Sequence, residues 1–183
     1  IDFPYNEDDE FDSSLLPPGE MIAAFLLETY QGWGACMYPS SYIKKLYDFA
    51  KESGALVCFD EIQSGFYRMG DLYGYTTYGD NIQPDLISVG KALSSCLPIS
   101  AVLGRADIID LDPTTNLSGT HAGNAICCAA GLANLEFLTD TEFQQDFQKR
   151  VAYFEERCAK LLDLQLVSKV NYKGMVAGII MES

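Results

Sequence analysis

Residues 55–66 read ALVCFDEIQSGF, and the reading of that stretch decides the fold. Ala55 to Phe59 is a short unbroken apolar run of strand length, and it ends on the carboxylate of Asp60. A strand that is apolar on both faces belongs in a sheet covered on both sides, which is the habit of parallel sheets. Upstream, Pro39 and Ser40 open a segment in which Tyr42, Ile43, Leu46, Phe49 and Ala50 recur at helical spacing, and Gly54 stops it. Before that, Met21 to Leu27 forms another apolar run, closed by Glu28, and reads as a buried strand. Strand, helix, strand in this order is a crossover unit and predicts a parallel pair.

The pattern continues downstream, where Leu86 to Val89 leads into Gly90 and Lys91, and Ile99 to Leu103 leads into Gly104. Glu28, Asp60 and Lys91 therefore fall just past the carboxyl ends of apolar strands. Ligands of open α/β sheets bind along that edge, so the three are expected to face one crevice. Ala125 to Leu138 is apolar almost all round, which predicts a helix buried in a domain, whereas Thr141 to Leu164 is a longer, charged, amphipathic helix. Val167 to Val170 and Met175 to Met181 have strand character around Gly174. The expected organisation is an α/β unit with a mainly parallel sheet over residues 1–140. A linking helix and the beginning of a small α+β unit follow over 141–183, and the abrupt ends suggest an excerpt of a larger protein.

Composition narrows the partners. Twenty-six acidic residues against 12 basic ones give a formal net charge of -14, which opposes docking on nucleic acid phosphates or an anionic membrane. A small molecule or a protein partner is favoured. Cys36, Cys58, Cys96, Cys127, Cys128 and Cys158 lack the paired spacing of a zinc or redox motif, so reduced, packed thiols are expected and no metal site. No apolar stretch reaches the length of a membrane span. The expected location is the cytoplasm, or an organelle if a leader lies outside this chain.

Two chemistries fit a strand ending in Asp60-Glu61. One is a magnesium site in a nucleotide hydrolase, but the phosphate-binding loop it requires is absent, because Gly90-Lys91 is followed by Ala92 and Asp85 stands where the first glycine should be. The other uses Asp60 to hold a protonated pyridine nitrogen, which makes the ring an electron sink for a carbanion. Lys91 would then form a Schiff base with the cofactor aldehyde and, once displaced, carry a proton between two carbons.

The segments ETYQGWGA, FDEIQSGF, PDLISVGKALSSCLPISAVLG and GTHAGNAICCAAGLANLE follow one another in an order and spacing that resemble the class III aminotransferases. That resemblance implies the large domain of a fold type I enzyme dependent on pyridoxal 5'-phosphate. Such an enzyme moves an amino group between an amine or ω-amino acid and a 2-oxo acid. It also implies roles residue by residue: Asp60 at the pyridine nitrogen, Lys91 as the Schiff-base lysine, and Gln63 near the ring hydroxyl. Thr120 would reach the cofactor phosphate of a neighbouring subunit, so the site is shared in a homodimer. Glu28 matches a glutamate that in several members pairs with a distant arginine and serves substrate binding. The WGA and THAGN segments look closer to the 4-aminobutyrate and ω-amine branch. A decarboxylase or racemase use of the same scaffold, or a non-catalytic remnant of it, stands as the alternative. The upstream phosphate cradle and the downstream substrate arginine of the family are not among these residues, so the chain alone is not expected to be a competent enzyme. Thr29, Tyr67, Met69 and Ala125 depart from the family pattern, Tyr67 standing where a GFGR motif has its second glycine. His121 is expected to be an ordinary loop residue.

Overall fold

Residues 2–110 and 119–182 are described by the computed structural model; positions 1, 111–118 and 183, which fall within the two expected segments, lie outside them. The first strand, β1 (Ala24–Glu28), is followed by two short antiparallel strands, β2 (Tyr30–Gln31) and β3 (Cys36–Met37). Helix α1 (Ser40–Ser53) then leads to β4 (Leu56–Asp60), which lies parallel to β1 with Glu28 beside Asp60. Strand β5 (Leu86–Val89) adds parallel to β4, and β6 (Ala101–Gly104) closes the sheet antiparallel to β5, in the order β1-β4-β5-β6. A parallel return needs a crossover of a dozen or more residues, and the segment 90–100 contains no such helix, so the last strand runs backward.

Helix α1 forms for the reason its spacing predicts. Tyr42, Ile43, Leu46 and Ala50 line one face and are buried against Phe25, Leu27, Val57 and Phe59 of the sheet. Burying a side chain such as Ile43 or Leu46 contributes roughly 2 kcal/mol. Gly54 ends the helix in the left-handed region at φ 75°, its N–H bonded to the carbonyl of Ala50.

Two expectations require correction. The strand expected from Met21 begins at Ala24, because Gly19–Met21 forms a 3-10 turn after the two prolines, and its burial alternates: Phe25 and Leu27 are in the core while Leu26 is 70% exposed. Only the face toward α1 is covered in this region. After the short helix α2 (Ala106–Ile109) comes α3 (Ala125–Leu138), expected to be buried, of which only Gly131 is; Ile126, Leu132 and Phe137 are exposed. Its composition is that of a core helix, but it meets the rest of the chain chiefly at the turn after Lys91 and at the next helix.

That next helix, α4 (Thr141–Ala159), starts at Asp140, whose carboxylate accepts the N–H of Phe143 at 2.9 Å. It continues through a 3-10 turn, Lys160–Asp163, into the antiparallel hairpin β7 (Val167–Lys173) and β8 (Val176–Met181). The hairpin tip is held between α4 and the loop after β4: Gly174 donates to Glu155 of α4 at 2.7 Å, and Met175 donates to the carbonyl of Arg68 in the loop at 2.8 Å. A Cβ at Gly174 would lie 2.2 Å from the Met69 carbonyl carbon, so the contact requires glycine as much as its φ of 60° does. Among the described residues no helix is long and apolar enough to cross a membrane.

Candidate active site

The parallel register sets Glu28, Asp60 and Ser88 side by side at the carboxyl edge of the sheet, and Lys91 follows β5 by two residues. Around that edge lies a cavity of about 210 Å³, lined by Glu28, Tyr30, Asp60, Ile62, Gln63, Ser64 and Lys91. The structure thus gathers Glu28, Asp60, Gln63 and Lys91. Thr120 is not among them; it is exposed on the turn before α3. His121 lines a larger cavity of about 940 Å³ on the far side of Ile62, whose wall is mostly apolar and brings no carboxylate together with an amine. The smaller cavity is therefore where the chemistry can lie.

Each polar group in it has unused capacity. Asp60 accepts the N–H of Ile62 on Oδ1 at 2.9 Å, and its other oxygen accepts no bond among the described residues. Lys91 opens a 3-10 turn with a φ of 40°, a conformation that costs a non-glycine residue of order 1 kcal/mol and tends to mark functional sites. The turn is braced from α3: Asn134 donates to the carbonyl of Ala92 at 2.7 Å and accepts from the Ser95 hydroxyl at 3.3 Å. Sequence reading missed Asn134, whose role depends on a contact across more than forty positions.

Glu61, next to Asp60, behaves oppositely. It is fully buried, and its carboxylate accepts from the hydroxyls of Thr29 and Ser64 and from the N–H groups of Gly74 and Tyr75. The last three bonds are each 2.8 Å long. Four protein donors occupy its lone pairs, which corrects the reading of Asp60 and Glu61 as a magnesium pair. This knot fixes the loop that carries Gln63.

Tyr30 was also missed. It is 3% exposed, and its hydroxyl is buried without a hydrogen-bond partner among the described residues. Burial pushes the phenol above its ordinary range; the Arg68 guanidinium and the Gln63 amide oppose the rise, and the Glu28 and Glu61 carboxylates reinforce it. The Gln63 amide is the nearest polar neighbour that acts on the phenol, although the pair does not form a hydrogen bond of ordinary geometry. Its Oε1 would lie 2.5 Å from a Cβ on Gly32, so that glycine leaves room for the amide.

A carboxylate with a free oxygen, an amide, an amine, an unpaired phenol and the flat apolar side of Ile62 match the groups of pyridoxal phosphate: ring nitrogen, ring hydroxyl, aldehyde and ring face. The donor set fits that cofactor.

Comparison with known proteins agrees with this chemistry. The chain is 39% identical over 122 residues to the 2-aminoadipate transaminase of Pseudomonas putida, covering 66% of this chain and 29% of that one. It is 34% identical over 178 residues to the isoleucine 2-epimerase of Lentilactobacillus buchneri, covering 96% and 39%. Among solved structures, an S-selective transaminase from Arthrobacter sp. superposes with a TM-score of 0.81 at 31% identity, over 90% of this chain and 36% of that one. The chain thus spans well under half the length of each. The family model for class III aminotransferases, enzymes dependent on pyridoxal phosphate, matches residues 10–183, and the chain belongs to that family.

Proposed function

We propose that the chain carries the cofactor-linking part of a transaminase site that moves an amino group between an amine or ω-amino acid and a 2-oxo acid. The observation that carries this reading is the convergence of Asp60, Gln63 and Lys91 on one cavity. Bound pyridoxal phosphate supplies an electron sink for the carbanion left when a substrate loses its α proton. The free oxygen of Asp60 would hold the ring nitrogen and favour its protonated form. The Lys91 amine would hold the aldehyde and, as a free amine beside the substrate carbon, would take and return its proton. Gln63 presents a neutral amide to the ring hydroxyl, and Glu28, which lines the same cavity, would serve substrate binding.

Thr120 lies outside its own chain's cavity, which suits a role at the cofactor phosphate of a second copy in a homodimer. The six unpaired cysteines suit the cytoplasm. We assign residues 1–140 to the large domain and 141–183 to the linking helix and the start of the small one, on the change from sheet to α4 and hairpin.

The test is borohydride reduction after incubation with pyridoxal phosphate, followed by peptide mass mapping. Label confined to Lys91, and lost in Lys91→Ala, is the expected result; label scattered over surface lysines, equal in the variant, defeats the reading. The isoleucine 2-epimerase relative favours one second reading, in which the same groups return the proton to the opposite face of an amino acid. Inversion of a chiral amino acid with no oxo-acid product would establish it instead.

A further inference from the structure

Most polar atoms that a fold buries are hydrogen-bonded, and the exceptions need an explanation. The Tyr30 hydroxyl is such an exception among the described residues. Its ring packs with Ala35 and Met69, and with Met37 and Val176 around them. A phenylalanine would fill that space equally well without burying an unpaired donor, so packing accounts for the ring and not for the oxygen. The phenol also lines the cavity with Asp60, Gln63 and Lys91, beside the amide of Gln63.

We infer that Tyr30 is a further cofactor-positioning residue, whose hydroxyl donates a hydrogen bond to the ring oxygen of pyridoxal phosphate that Gln63 also faces. The inference rests on the cofactor reading above. The acceptor follows from the neighbours. With Asp60 at the ring nitrogen and Lys91 at the aldehyde, the ring oxygen and the phosphate remain, on opposite sides of the aldehyde carbon; the ring oxygen is the one given to Gln63, and Tyr30 lies beside Gln63. A neutral phenol suits this task, because its O–H can donate to an oxygen carrying negative charge while the proton stays on the phenol.

Tyr30→Phe tests this with three readouts on the 183-residue chain. Without cofactor, the variant should melt at the wild-type temperature or above it, because no bond is lost. With pyridoxal phosphate, its affinity measured by absorbance titration should be roughly three- to tenfold weaker. With 3-deoxypyridoxal phosphate, which lacks the ring oxygen, the two proteins should bind alike. A variant that binds pyridoxal phosphate as tightly as wild type overturns the inference. So does a loss of affinity that persists with the deoxy analogue, which would place the bond elsewhere, or a lower melting temperature without cofactor, which would make the hydroxyl structural. Failure of the underlying reading looks different: the wild-type chain itself would then bind pyridoxal phosphate no better than Lys91→Ala.

Discussion

Asp60 and Glu61 are neighbours in the chain, yet one belongs to a closed polar knot and the other to an open one. Around Glu61, four donors meet one buried carboxylate. Around Asp60, a carboxylate oxygen, an amide, an amine and a phenol surround a cavity, and among the described residues no hydrogen bond of ordinary geometry joins them across it. Strand alternation produces the difference, since successive side chains point to opposite faces and the chain turns out of the sheet after Asp60. A polar group satisfied from within holds the fold together, whereas one left with capacity is available to a ligand.

The comparison breaks most easily at Glu61. Replacing it with alanine leaves two hydroxyls and two N–H groups without acceptors, and should cost about 3–5 kcal/mol, lowering the melting temperature by roughly 6–20 °C. A urea melt showing less than about 1 kcal/mol would mean that the knot is not what holds the loop.

Asp85 offers a second closed case with a pH signature. It is 2% exposed and binds Lys51, Arg105 and the N–H of Val57. Burial alone would raise its pKa, but the bonds from Lys51, Val57 and Arg105 together outweigh it and hold the carboxyl below the ordinary aspartate range. A depressed folded pKa gives stability that is present above the unfolded value, about 3.9, and is lost as pH falls through the folded one. Asp85→Asn should therefore be less stable than wild type at neutral pH, with the gap closing as the solution is acidified below about pH 4. Urea midpoints measured across that range decide it, and a constant gap would deny the carboxylate's charge any part.

The open knot should respond differently. Gly32→Ala presses on the movable end of Gln63, so stability should fall by less than about 1 kcal/mol while pyridoxal phosphate affinity drops severalfold as the amide swings away. Equal affinity would remove Gln63 from the cofactor contacts.

What could be read in the sequence follows from the range of the cause. Strand ends are local, so Glu28, Asp60 and Lys91 were legible as one edge. Helix α1 was legible from spacing and from its glycine stop. Glu61 was not, because two of its donors are backbone N–H groups of Gly74 and Tyr75, which any residue could supply. Tyr30 carried no signal of its own; only the packed structure shows its hydroxyl without a partner among the described residues. Composition misjudged α3, because an apolar helix is buried only where something packs on it. Tyr67, which stands where the family motif has a glycine, adopts φ 67°, in the left-handed region that favours glycine. It is held by Gln144 at 2.6 Å and by edge contact with Phe147.

The docking of the hairpin on the loops near the cavity also sets an order of events. Asn171 bonds the carbonyl of Gly34 across 137 positions, and Gly174 closes on Met69 from more than a hundred positions away. Ordering a chain segment of that length comes late, since its entropy must be given up before the contact returns anything. The sheet and α1 can form from nearby residues first. The walls around Tyr30 and Gln63 take their final shape last, so refolding followed by cofactor capture should lag refolding followed by the burial of Phe59.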